Sequence, residues 1–136
     1  MSTPGGSSPW GDADAFKVSL EDQVAQAQAR AVRARDMQHE IQALRARARS
    51  RNGEVEAETD ASGALTDLRL NDRAIDMHPQ ALAQLILETT MQARKSAGEK
   101  AVAVATEAFG ENSSATSMLR HEVEQREAAR HDGLTY

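Results

Sequence analysis

The chain has 136 residues, a formal net charge of −5 and 40% hydrophobic residues, with only two Phe, one Trp and one Tyr among them. The absence of cysteine excludes disulfides, thiolate metal sites and a cysteine nucleophile, and no apolar run suggests a signal peptide or a membrane span. The length indicates one domain with tails, in a soluble, cytoplasmic protein, and the negative charge means that binding to nucleic acid would need a local basic patch.

The first predicted element is a long helix. Residues 1–13 are rich in Gly, Ser and Pro and predict a disordered arm. From Asp14 to Ala43, apolar residues recur at spacings of three and four, which is typical of a helix with a narrow apolar stripe: Phe16, Leu20, Val24, Ala27, Ala31, Ala34 and Ile41. Because alanine contributes little apolar area, we expect this stripe to pack against another helix and the protein to be a homo-oligomer.

A hairpin is predicted next. The sequence alternates strictly from Leu44 to Arg51 and again from Glu54 to Thr59, on either side of Asn52-Gly53. An Asn-Gly pair between alternating segments favours a two-residue type I′ turn. That turn pairs arginine with glutamate on one face: Arg51 with Glu54, Arg49 with Glu56 and Arg47 with Glu58. The other face pairs small or apolar residues: Ser50 with Val55, Ala48 with Ala57 and Ala46 with Thr59. This sorting of chemistry supports the register over a continued helix.

A third strand and a second long helix follow. A turn at 60–63 leads to a strand over residues 64–70, and a four-residue loop would place Thr66, Leu68 and Leu70 beside Val55 and Ala57, with Arg69 beside Glu54. Residues 71–78 are predicted to be a connector. A helix is then predicted from Pro79 to a stop at Gly110, with Gly98 marking a close contact or a slight bend.

These elements define an α+β fold: a long helix, a three-stranded antiparallel β-meander and a long helix. The domain is predicted to cover residues 14–110. Residues 111–136 are predicted to be a polar C-terminal tail, and a frayed helix over residues 114–130 remains an alternative because its apolar stripe is thin.

The order of elements and three local features resemble the YbaB/EbfC family of nucleoid-associated DNA-binding proteins. The features are the strand start at Asn52-Gly53, the strand Gly63–Leu70 and the helix Pro79–Ala97. The likeness extends over about residues 47–109. Within it, the run from Leu65 to Ile86 resembles actinobacterial members of the family. These features are hydrophobic positions and turns rather than a catalytic signature.

The resemblance implies a homodimer, formed through the sheet or the helices, that binds DNA with little sequence preference in the cytoplasmic nucleoid. It implies no catalytic residues, cofactor or membrane partner. Some actinobacterial relatives are similar to accessory factors of specialised secretion. The alternative function is therefore a dimeric protein-interaction scaffold, or an accessory factor of a type VII-like secretion system, that does not bind DNA.

The residues themselves predict no enzyme, no cofactor and no metal site. The four histidines are scattered without metal-ligand spacing, and no serine lies near an activating base. The N-terminal glycines precede no strand and so form no phosphate loop. His78 is interpreted as a structural residue of the connector.

Arginines are the candidate DNA-binding residues. Arg45, Arg47, Arg49 and Arg51 are predicted on one strand, with Arg33 and Arg35 on the preceding helix. They could contact phosphates through counterion release. The competing interpretation is that the strand arginines pair with glutamates on a solvated face. Exposed ion pairs contribute only about 0 to 1 kcal/mol, so pairing alone would not prevent a phosphate contact, but the glutamates would repel the phosphate.

Overall fold

The computed structural model describes residues 9–133 of the chain. The elements in order are α1 (Pro9–Ala43), β1 (Arg45–Arg49), β2 (Val55–Asp60), β3 (Leu65–Leu70), α2 (Asp72–Ile75), α3 (Pro79–Phe109) and α4 (Ser114–Gly133). The strands form one antiparallel sheet in the order β1-β2-β3. The predicted α+β class and meander are therefore confirmed. Within residues 9–133, none of the helices combines the length and apolar character needed to span a bilayer.

Helix α1 ends at Ala43 as predicted and begins at Pro9, five residues before the expected start. Residues 1–8 of the predicted arm lie outside the described residues. The chain divides within α1 into two compact units, at Arg35, and the side chains described in the first unit are all exposed. The second unit, from Asp36 onward, contains the sheet and the remaining helices.

The predicted register of the first hairpin is confirmed. Arg47 lies opposite Glu58, Ala48 opposite Ala57 and Arg49 opposite Glu56. The predicted type I′ turn is wrong, because only Gly53 of the Asn-Gly pair has a positive φ, at 79°. The β1–β2 connection is a four-residue loop over residues 51–54.

Ser50 holds this wider loop in place. Its carbonyl accepts the N–H of Gly53 at 2.9 Å, and its hydroxyl both accepts the N–H of Val55 and donates to the Glu54 carboxylate, each at 3.0 Å. These bonds satisfy the chain between the strands without requiring a left-handed conformation at Asn52. The loop keeps the predicted register because it extends the predicted turn by one residue on each side of Asn52-Gly53.

The predicted register of β3 is wrong by two residues. Leu68 lies opposite Ala57 and Leu70 opposite Val55, so both leucines do face the apolar side, but Arg69 lies opposite Glu56 rather than Glu54. Two features account for one residue of the shift each: Asp60 already bonds to Ala64 across the turn, and the pairing is irregular between Glu58 and Thr59. The irregularity turns Thr66 toward the charged side, where its hydroxyl donates to Glu58 Oε2 at 2.7 Å.

The core lies between the apolar face of the sheet and helix α3, which packs across β1 and β2. It consists mainly of small residues: Ala46, Val55, Ala57 and Thr59 on the strands, and Thr89, Ala93, Ala97, Ala101 and Ala105 on α3. Small side chains let the helix approach the sheet closely, but they bury little apolar area each. On β3 the same face is uncovered, and Leu65, Leu68 and Leu70 are 44%, 37% and 46% exposed.

The predicted connector 71–78 contains a one-turn helix, α2, which sequence periodicity could not reveal in four residues. Asn71 caps it by accepting the N–H of Ala74 through its side chain at 3.2 Å. His78 then caps α3, where its Nδ1 accepts the N–H of Gln80 at 3.2 Å, and Pro79 occupies the first turn. A structural role for His78 agrees with its interpretation from the sequence.

Helix α4 packs against α3, and a short turn over residues 110–113 joins the two helices. The hydroxyl of buried Thr116 donates to the Gly110 carbonyl at 2.9 Å, and Ser113 accepts the N–H of Thr116 at 3.1 Å. Arg126 then reaches from α4 to the β2–β3 turn, donating to the carbonyls of Ala61 and Ser62. These contacts fix α4 to the domain although its apolar stripe is thin.

Gly98 of α3 lies against Val123 of α4. A Cβ built on this glycine would lie 2.5 Å from Cγ1 of Val123, so the two helices fit only because residue 98 has no side chain. The close packing contact predicted at Gly98 is therefore confirmed. It explains why a glycine is found here despite its cost of about 1 kcal/mol inside a helix.

We expect Gly98→Ala to destabilise the domain by about 1 to 2 kcal/mol, because the overlap with Val123 exceeds the gain in helix propensity. In the background of Val123→Ala, the same Gly98→Ala change should be neutral or stabilising, because the space is then open. Urea unfolding of the wild type, both single variants and the double variant checks this cycle. Additive effects of the two substitutions would contradict the contact.

Candidate nucleic-acid interface

The outer face of the sheet carries the predicted strand arginines. Alternation along edge strand β1 points Arg45, Arg47 and Arg49 away from the core, and all three are exposed. Arg51 follows in the β1–β2 loop and is also exposed. The strand therefore brings together four of the six candidate residues, along one edge of one face.

Arg47 is the arginine that the neighbouring strand neutralises. Its Nε donates to Glu58 Oε1 at 3.1 Å, and its Nη1 donates to Glu56 Oε1 at 3.3 Å. The hydrogen bond and the charge of Glu58 raise the pKa of Arg47 above its already high ordinary value. One guanidinium group thus forms ion pairs with both central glutamates of β2.

Arg45, Arg49 and Arg51 form no ion pair with any side chain in the part of the chain that the structure describes. Arg45 donates through Nη1 to the carbonyls of Leu44 and Gln42, and it lies opposite Asp60, whose pKa its positive charge helps to lower. Arg49 lies over the loop, with its guanidinium against Gly53. We name these three residues the β1 edge cluster.

Lys100 is a basic residue near this cluster that sequence reasoning missed. Its Nζ donates to the carbonyl of Arg45 at 3.3 Å, so α3 adds a further positive charge beside the start of β1. No local pattern could have indicated it, because the two residues are 55 positions apart. Arg33 and Arg35 are exposed on α1, in the vicinity of the division between the two compact units.

Away from β1, the outer face carries mainly acidic groups. Glu56, Glu58 and Asp60 line β2, and on β3 Arg69 pairs with Asp67 at 3.0 Å. Arginines that form no ion pair are therefore concentrated at the β1 edge and are not spread over the whole face. A phosphate would be attracted there and repelled from the middle of the sheet.

Two carboxylates of β2 are held ionised by hydrogen bonds. The pKa of Glu58 is lowered, first by the hydroxyl of Thr66 and next by the guanidinium of Arg47. The pKa of Asp60 is lowered first by the hydroxyl of Ser62, at 2.6 Å, with a further contribution from the N–H of Ala64. These bonds join β2 to β3 and close the turn between them.

The lowered pKa values predict how stability depends on pH. A carboxylate with a lower pKa in the folded state contributes its full stabilisation above the unfolded value of about 4.5 and loses it as pH falls through the folded value. We therefore expect the free energy of unfolding to fall on acidification below about pH 4.5. Glu58→Gln should lower stability at pH 7 and flatten this acid dependence, as measured by urea unfolding between pH 3 and 7. An unchanged dependence in this variant would contradict the assignment.

The described residues contain no group of three or more His, Asp or Glu side chains arranged to hold a metal ion. A groove of about 770 Å³ lies between α3 and α4 and is lined by Met91, Lys95, Glu124 and Glu127 among others. It is open and holds no nucleophile beside a base. The chemistry that the chain presents is that of charged surfaces.

Comparison with protein families gives a match over most of the chain. The model of the YbaB/EbfC DNA-binding family matches residues 16–112, which include α1 from Phe16, the whole sheet, α2 and α3. Helix α4 lies beyond the matched region. No curated protein matches the chain.

Proposed function

The chain belongs to the YbaB/EbfC DNA-binding family, a family of nucleoid-associated proteins, and we propose that it binds duplex DNA as a homodimer with little sequence preference. The proposed location of the protein is the nucleoid, within the cytoplasm. The family is not one of enzymes, and no catalytic role is proposed.

The β1 edge cluster is the observation that carries this proposal. Arg45, Arg49 and Arg51 have exposed, unpaired guanidinium groups along one edge strand, and Lys100 adds a charge at its start. Arginine forms strong, charge-assisted hydrogen bonds to phosphate oxygens. Since Arg47 takes up Glu56 and Glu58, these glutamates are partly screened from a phosphate at the edge.

The chemistry of the cluster supports binding with little sequence preference. Phosphate contacts fix a protein on the duplex but carry no base information, whereas readout of bases needs side chains that enter a groove. The arginines lie on a strand and a loop beside the acidic residues of β2. Those acidic residues would be repelled by DNA and would keep this face from entering a groove. Affinity is then expected to depend mainly on salt.

The exposed face of β3 supports a homodimer. Leu65, Leu68 and Leu70, here named the β3 strip, lie on the core side of the sheet but beyond the cover of α3. An edge strand with an open leucine face invites pairing with another protein surface. A second copy would supply an identical strip, as two-fold interfaces require. The dimer would then present two β1 edge clusters, one from each protomer.

A salt titration tests the proposal. Duplexes of defined and random sequence are titrated with the full chain between about 50 and 300 mM salt. We expect binding at low salt, a steep linear fall of log K against log salt, and no more than a few-fold difference between sequences. Absence of binding at 50 mM salt, or a preference for one sequence of a hundredfold or more, would overturn it. Protein partners retained from cells after nuclease treatment would then favour the scaffold alternative.

A further inference from the structure

Helix α1 presents an apolar stripe that nothing within its own compact unit covers. Leu20 and Val24 are each 49% exposed, and the stripe continues through alanines. The spacing from Leu20 alternates four, three, four, three, which is the repeat of a coiled coil: Leu20, Val24, Ala27, Ala31 and Ala34. We propose that α1 pairs antiparallel with α1 of a second copy of this chain.

The distribution of charge along α1 favours a copy of the same helix as the partner. The N-terminal part carries four acidic residues and one lysine, and the part toward residue 35 carries three arginines: Asp12, Asp14, Lys17, Glu21 and Asp22, then Arg30, Arg33 and Arg35. Within residues 12–35, the two halves carry opposite charges, and such a segment is complementary to itself only when the second copy runs in the opposite direction. Asp36 and Glu40 follow the arginines and lie beyond this segment.

The residues that flank the stripe select the same orientation. In a parallel pair, the flanking positions would place Arg30 beside Arg35 of the second copy, which is repulsive. In an antiparallel pair, Glu21 lies beside Arg35 of the second copy, and this contact occurs twice because the arrangement is two-fold symmetric. Near the centre, Gln28 faces Gln28 of the second copy on one flank and Arg30 faces Arg30 on the other, so the antiparallel pair has one repulsive arginine contact where the parallel pair has two.

This orientation also fits the shape of the stripe. With Glu21 beside Arg35 of the second copy, Val24 faces Ala34 and Ala27 faces Ala31. Larger residues then meet smaller ones, and the helices can approach closely. Arg33 stays outside the pair and remains free for the phosphate contact considered above. The pairing uses neither the β3 strip nor the β1 edge cluster, so it stands independently of the proposed function.

Disulfide trapping tests the geometry, since the chain has no cysteine of its own. Val24→Cys and Ala34→Cys are made as separate full-length variants and oxidised mildly, without DNA, alone and mixed. In the antiparallel pair, equivalent Val24 positions lie about 15 Å apart along the axis, beyond the roughly 7 Å that a disulfide allows. We therefore expect covalent dimers in the mixture and few in either variant alone. Ala29→Cys, on the opposite side of α1, is the matched control.

Other trapping results would overturn the proposal. Efficient dimers of each variant alone, with few mixed ones, would indicate parallel helices. Absence of dimers in all samples would indicate that the stripe is covered by the chain's own second unit or stays solvated. Trapping that persists when the β3 contact or DNA binding is lost would separate this pairing from the proposed function.

Charge reversal tests the contact between Glu21 and Arg35. In the mixed-cysteine background, we expect E21R and R35E each to reduce the initial trapping rate by about two- to tenfold at low salt, and the double reversal to restore it. Residues 21 and 35 are far apart on one helix, so restoration requires contact between copies. A faster rate with R35E alone, or no restoration in the double variant, would contradict the antiparallel pair. Addition of 0.5 M salt should reduce these differences by screening.

Discussion

Replacing Leu68 with aspartate is expected to disrupt the dimer that the β3 strip is proposed to form. In the single chain Leu68 is 37% exposed, so the protomer can accept a carboxylate there with little loss of its own stability. In the proposed dimer the same carboxylate would be buried against the leucines of the second copy. An unpaired buried charge costs about 3 kcal/mol or more, which corresponds to over a hundredfold in the dissociation constant.

The measurement is the mass in solution by light scattering at micromolar concentration. The wild type should approach twice the 14.7 kDa of one chain, or a multiple of the dimer if α1 also joins copies, and Leu68→Asp should lower it. Met118→Asp is the matched control, because Met118 is an equally apolar residue, 72% exposed, on α4 and outside the family match. A wild type of monomer mass, or an equal effect of the two variants, would contradict the β3 contact.

The sheet shows how far charge and alternation can predict a structure. The hairpin register followed from the sequence because a shift of one residue would have placed arginine on the apolar side, opposite Val55 or Ala57. The turn type did not follow, since the bonds of the Ser50 side chain stabilise a four-residue loop of the same parity. Local rules therefore fixed the faces of the strands and left the backbone path of the turn open.

Features that depend on tertiary contacts could not be predicted. The β3 register depends on an irregularity at Glu58 and on the hydroxyl of Thr66, which reaches that carboxylate across the strands. The docking of α4 depends on a glycine in α3 that accommodates Val123 and on the bonds of Arg126 to a distant turn. Neither contact leaves a periodic signal in the sequence.

The same limit applies to the candidate site. The sequence placed three of the four arginines opposite glutamates and so suggested that most of them were neutralised. In the structure, Arg47 alone of these four takes up the glutamates of β2, and it binds two of them. Competition between neighbouring side chains for one acceptor is a property of three-dimensional geometry. It leaves the β1 edge cluster with more uncompensated charge than the cross-strand register suggests.

The largest effect on DNA binding is therefore expected from removal of the β1 edge cluster. Alanine at Arg45, Arg49 and Arg51 removes three guanidinium groups per protomer. Each phosphate contact contributes about 0.9 to the slope of log K against log salt, so the slope should fall by up to about 3 per protomer, and affinity at low salt by tenfold or more. Folding should be little affected, because all three side chains are exposed and form no ion pair within residues 9–133.

A second triple variant separates local contacts from the loss of overall charge. Alanine at Arg73, Lys95 and Arg120 removes the same number of positive charges from helices α2, α3 and α4 of the second unit rather than from the sheet. We expect it to weaken binding less and to leave the salt slope nearly unchanged, because a distant charge is screened beyond about 10 Å at 0.1 M salt. Equal slopes for the two triple variants would assign binding to the general charge of the protein and would remove the β1 edge cluster from the interface.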